Sequence, residues 1–148
     1  MRKGDIILVK NNKLISKIIK WFTKSQYSHS AIAIDSIHIY ETNYNEKSCI
    51  KHVNWTKSMY DVYRLKPGIK FDSKKLVEYM LTHIHNDYDL GEIFKIVIHK
   101  DSKDDDNKYI CSKLVHDAFL EQGIDLTPGI EIPTPEDLSH SKLLYKVK

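Results

Sequence analysis

The stretch YSHSAIAIDSIHIYET, residues 27–42, sets two runs rich in β-branched, small and aromatic residues on either side of Asp35-Ser36. Runs of that kind about a turn-forming pair read as a β-hairpin. Its register decides which side chains share a face. A two-residue turn at Asp35-Ser36 pairs His29 with Thr42 and sends Glu41 to the face opposite His29. A three-residue loop, Asp35 to Ile37, pairs Ala31 with Glu41, diagonal to His29 and on its face. The longer loop is the expected one, with Thr42 or Tyr40 standing in for Glu41 if the shorter turn forms. By period-two alternation the neighbours of His29 on its own side are Ala31 and Ala33, small residues that leave room beside an imidazole.

Outward from the hairpin, GDIILVK (residues 4–10) reads as a strand, since four apolar residues follow a Gly-Asp turn signal. In KLISKIIKWFTK (residues 13–24), Leu14, Ile15, Ile18, Ile19 and Phe22 form one helical stripe, and Lys13, Lys17, Lys20 and Lys24 line the other side. This predicts a surface helix packed on the core; basic residues beside Trp21 also suit a helix resting on a membrane. Strands are expected at Ile50–Val53 and Tyr60–Leu65. The period then changes to helical, with Asp72 as N-cap and Leu76, Val77, Met80, Leu81 and Ile84 as the buried stripe. A shorter helix is expected over Glu92–Ile98. KDSKDDDNK (residues 100–108) reads as a solvated loop without the glycine and glutamate of a calcium loop. A further helix carries Leu114, Val115, Ala118 and Phe119 and stops at Gly123, a C-cap glycine. A one- or two-turn helix begins at Pro135, and KLLYKV closes as a strand.

The totals bound the class. A chain of 148 residues suits one domain over residues 1–148. Hydrophobic residues at 41% and charged residues at 29% describe a soluble globular protein with no apolar run near the ~20 residues needed to span a bilayer. The opening residues meet charge too soon for a secretory segment, so a cytoplasmic protein is expected. A net charge of +3, from 23 basic and 20 acidic residues spread along the chain, does not call for nucleic acid. Two cysteines, Cys49 and Cys111, make neither a disulfide framework nor a spaced metal array, so no metal or cofactor is expected.

Cys111 lies where the helix of KYICSKLVHDAFLEQGI (residues 108–124) is expected to begin. Unpaired N–H groups and the helix dipole lower a thiol's pKa there, although free cysteine is more often a small buried hydrophobe. A nucleophile also needs a base. Among eight histidines, His83 and His85 point different ways on one helix and make a poor metal pair, and the side chain of His116 diverges from Cys111 on the cysteine's own helix. His29 remains the candidate base, and Glu41 the residue that would hold its tautomer.

The order GDIILV, amphipathic helix, YSHSAIAI, IYET, YDLGEI, YICSKLVHDAF and TPEDL resembles the circularly permuted branch of the NlpC-type papain-like cysteine peptidases. Lecithin:retinol acyltransferase-like enzymes and small bacterial, phage and poxviral proteins belong to the same superfamily. The resemblance implies an α+β fold, a small antiparallel sheet packed on helices with the nucleophile at a helix N-terminus. It implies Cys111 as nucleophile, His29 as base and Glu41 as orienting residue, with Tyr88 and the Cys111 backbone N–H binding the oxyanion. Ser30 departs from the apolar residue that often follows the histidine. The expected activity is a thiol peptidase or amidase on an amide such as a cell-wall peptide. Two alternatives stand beside it: a lipid-directed acyltransferase or acylhydrolase that rests on a membrane through Lys13–Lys24, and a binding module that has lost the chemistry. The sequence sets no oligomeric state.

Overall fold

The computed structural model describes residues 1–10, 25–43, 46–54, 56–83 and 106–147. In chain order the elements are β1 (Ile6–Val9), β2 (His29–Ala33), β3 (His38–Asn43), β4 (Glu46–His52), β5 (Tyr60–Leu65), α1 (Ser73–Thr82), α2 (Asp106–Leu120), α3 (Pro135–Ser139) and β6 (Leu144–Lys146). The strands form one antiparallel sheet in the order β4-β3-β2-β1-β5-β6. This is the α+β architecture that the sequence predicts. The helices expected at Lys13–Lys24 and Glu92–Ile98 lie outside the described residues.

The run Ile6-Ile7-Leu8-Val9 is apolar at every position because β1 is central and covered on both faces. Ile6 and Leu8 join Ile32, Tyr40, Leu76, Met80, Leu114, Val115, Ala118 and Phe119 on the helix side. Ile7 and Val9 join Ala31, Ala33, Ile39, Tyr60 and Val62 on the other. Ala31 and Ala33 are thus closed into a second apolar cluster.

The entry to β1 is tightly specified. Gly4 has φ +83°, and a Cβ there would sit 2.6 Å from Phe71 Cζ. Buried Asp5 accepts from Arg64 Nε at 2.6 Å and Nη2 at 2.8 Å, a two-bond clamp between β1 and β5. Gly4→Ala combines a left-handed backbone with a ring collision, so we expect it to cost about 3 kcal/mol. Urea unfolding checks this, and an unchanged midpoint would contradict the close approach.

The hairpin takes the three-residue loop. Ile32 pairs with Tyr40 and Ala33 with Ile39, and Ile34 N donates to His38 O at 2.9 Å. The cause is Asp35, whose Oδ1 accepts from both Ile37 N and His38 N at 2.8 Å and so stabilises the longer loop. β4 starts at Glu46, earlier than the expected Ile50, because a register shift between Glu41 and Asn43 carries the pairing with β3 past its irregular end. β5 and β6 form where the pattern places them.

Asp72 caps α1, accepting from Lys74 N and Lys75 N. Leu76 and Met80 are fully buried, yet Leu81 is 53% exposed. At 100° per residue Leu81 lies well round the helix from Met80, beyond the edge of the buried stripe. Thr134 and Asp137 close a capping box on α3, and Gly123, at φ +74°, ends the turn that follows α2. None of the helices among the described residues is long and apolar enough to cross a membrane.

Candidate active site

β2 and β3 carry His29 and Glu41 on one face, and α2 packs across both strands to bring Cys111 to the start of β2. His29 Nε2 lies 2.8 Å from Glu41 Oε2. This leaves Nδ1 for the Cys111 thiol, with which His29 is also hydrogen-bonded. Cys111 is 0% exposed, and the His29 side chain 16%. Glu41 is buried as well, and its Oε1 lies 3.5 Å from Lys51 Nζ. The register seen in the hairpin is what makes the His29–Glu41 bond geometrically available.

The electrostatics favour a thiolate–imidazolium pair. Burial is the largest influence on both groups and opposes their charged forms. It is outweighed. The Cys111 charge and hydrogen bond, then Glu41, raise the pKa of His29 above the usual imidazole value. His29 in turn, with Ser30 contributing through its side chain and backbone, lowers Cys111 below the usual thiol value. A thiol and an imidazole moved in these directions exchange a proton readily near neutral pH.

The helix start differs from the expectation. α2 begins at Asp106, five residues before the cysteine, so Cys111 lies in the second turn. Asp106, Asn107 and Lys108, the end of the stretch read as a loop, therefore belong to the first turn. The correction reaches the oxyanion. In an α-helix with this start the Cys111 N–H is directed to the carbonyl of Asn107, four residues back. Tyr88, the other expected oxyanion donor, lies outside the described residues.

The other described histidines are occupied elsewhere. His116 is buried, 3.2 Å from Thr127 Oγ1, and burial lowers its pKa. His83 is bonded to Tyr79 O, His38 to Asp35 with its ring tilted against that of His52, and His140 lies beside Glu136. Ser112 Oγ, next to the cysteine, donates to Pro133 O and ties this turn of α2 to the segment before α3. Sequence reasoning assigned no part to Lys51 or Ser30. Lys51, inside the expected strand, becomes visible only once β4 is registered on β3, which pairs it with Ile39 and sets it diagonal to Glu41. Ser30 becomes visible only when α2 is docked on β2.

A hairpin that presents an imidazole and a carboxylate, followed later in the chain by a helix that delivers the thiol, is a papain-like α+β fold in permuted order. The chain belongs to the permuted papain-like amidase enzymes of the YaeF/YiiX, C92 family, which match residues 1–142. Its fold is similar to the crystal structure of the metalloprotein YiiX from Escherichia coli O157:H7, with a TM-score of 0.66 and 19% identity over 99% of this chain and 96% of that one. Among curated proteins none matches. These likenesses agree with the permuted papain-like part of the sequence resemblance and with a hydrolase acting on amides; they carry nothing specific to the NlpC or acyltransferase branches.

Proposed function

We propose that the protein is a cysteine amidase or peptidase in which Cys111 is the nucleophile, His29 the general base and acid, and Glu41 the group that orients His29. The observation that carries this reading is the continuous relay from Cys111 through His29 to Glu41. His29 takes the thiol proton, and the Cys111 sulfur attacks the amide carbonyl, forming a C–S bond and an oxyanion. Collapse of that intermediate breaks the C–N bond as the imidazolium gives its proton to the departing amine. Water, deprotonated by His29, then hydrolyses the acyl-thioester; the acid leaves and the proton returns to sulfur. The structural neighbour is a metalloprotein. Among the described residues no group of three or more His, Cys, Asp or Glu is placed to hold a metal ion, and no step is routed through one.

Peptide amides of the cell wall are the proposed substrates. A screen of muropeptides for newly released amino groups tests this, with the Cys111→Ala protein as the blank. Hydrolysis of acyl esters alone, together with sedimentation on liposomes, would replace this reading with a lipid-directed one. Glu41→Gln keeps a hydrogen-bonding side chain but removes the charge behind His29. It is expected to retain on the order of a hundredfold more kcat/KM than His29→Ala, since orienting groups contribute less than the base itself. Equal losses in the two variants would show that Glu41 does more than orient.

A further inference from the structure

We propose that Ser30 is a further catalytic residue, whose hydroxyl donates a hydrogen bond to the Cys111 sulfur once the thiol proton has passed to His29. This rests on the amidase reading above and adds to it a residue on the other face of β2.

The placement follows from alternation and docking. Ile32 points into the cluster beneath α2, with Leu114, Val115 and Ala118. Two residues back along β2, Ser30 shares that face, and one turn back along α2 from Leu114 and Val115 is Cys111. Ser30 therefore approaches the sulfur from the α2 side of β2, next in sequence to His29, which is hydrogen-bonded to the same sulfur.

Ser30 is 1% exposed, and its Oγ has no hydrogen-bond partner. A buried unpaired hydroxyl is costly, and such groups in native proteins call for a reason. Beside this one lies the sulfur. A neutral thiol is a weak acceptor and a thiolate a strong one, so the hydroxyl gains a full-strength partner only when the sulfur is ionised. The other charged groups in the neighbourhood are already engaged. Glu41 stands behind His29, and on α2 Lys113 is paired with Asp117 at 2.8 Å. The unsatisfied hydroxyl thus stabilises only the state in which the sulfur is ready to attack.

The test is a titration of Cys111 by thiolate ultraviolet absorbance in a Cys49→Ser background, where it is the only thiol. Ser30→Ala should raise the titration midpoint by about one pH unit, a roughly tenfold loss of thiolate on the acid side, the size of one charge-assisted hydrogen bond. Ser30→Thr, which keeps the donor, should hold the parent midpoint. Ser48→Ala, which removes a buried unpaired hydroxyl from β4, should leave it unmoved. Thermal unfolding at a pH below the Cys111 midpoint, where the sulfur is protonated, supplies an independent reading: removing an unsatisfied hydroxyl should leave Tm level or raise it there, whereas a purely structural serine would lower it at every pH. A Ser30→Ala midpoint equal to the parent's overturns the proposal. If the midpoint also stays low there but rises in His29→Ala, the amidase reading survives without Ser30. If the parent itself titrates as an ordinary thiol, the amidase reading falls too.

Discussion

Cys111→Ala will lose amide hydrolysis by a factor on the order of 10⁴ or more while keeping its fold. The loss is large because the carbon–sulfur bond is the reaction's intermediate, and nothing else among the described residues at the site can form it. Cys49, the other cysteine, lies on β4 opposite Glu41, on the far side of the relay from the attacking position. The fold should survive because alanine fits the space of a small buried thiol, at a cost of about 1 kcal/mol. Measured together, muropeptide turnover, iodoacetamide incorporation by intact mass and circular dichroism decide the matter. Alkylation should fall to that of Cys49 alone. Turnover that persists in a folded Cys111→Ala protein would remove the nucleophile from the proposal and the covalent mechanism with it.

His29→Ala should cost nearly as much, and it should change the shape of the pH profile. In the wild-type protein the active pair forms as pH rises through the lowered thiol pKa. It is lost as pH rises through the raised imidazole pKa, where the proton needed by the leaving amine is gone. A bell results, with its acid limb below the ordinary thiol range and its alkaline limb above the ordinary imidazole range. Without His29 the facing charge disappears while burial remains. Burial alone pushes the Cys111 thiol up, so iodoacetamide labelling at neutral pH should collapse and return only in alkaline solution. The alkaline limb should vanish with the imidazole. A labelling profile unchanged by His29→Ala would mean that His29 does not govern the thiol, despite their contact.

The hairpin shows how far local chemistry reaches. Asp35 has a short carboxylate that can accept from two backbone N–H groups in a three-residue loop, and that choice alone puts Glu41 within 2.8 Å of His29. Asp72 and Thr134 are legible for the same reason, since a cap acts on N–H groups two or three residues away. Two misreadings also have physical causes. Leu81 counts as apolar but falls off the buried arc of α1, and the start of α2 was hidden because a polar segment such as Asp106-Asn107-Lys108 reads alike at the end of a solvated loop and in a first helical turn.

What the sequence determined by itself is the set of elements and the chemical candidates. Strand and helix periods, caps, and turn residues act over a few bonds, and a histidine, a glutamate and a cysteine are recognisable as types wherever they fall. The tertiary structure decided their company. Apolar packing of α2 on β2 and β3 is cumulative and non-directional, contributed by Leu114, Val115, Ala118, Ile32 and Tyr40 together, so no short stretch encodes where the helix comes to rest. That resting place joins residues 29, 41 and 111, buries the sulfur, and sets the unpartnered hydroxyl of Ser30 beside it.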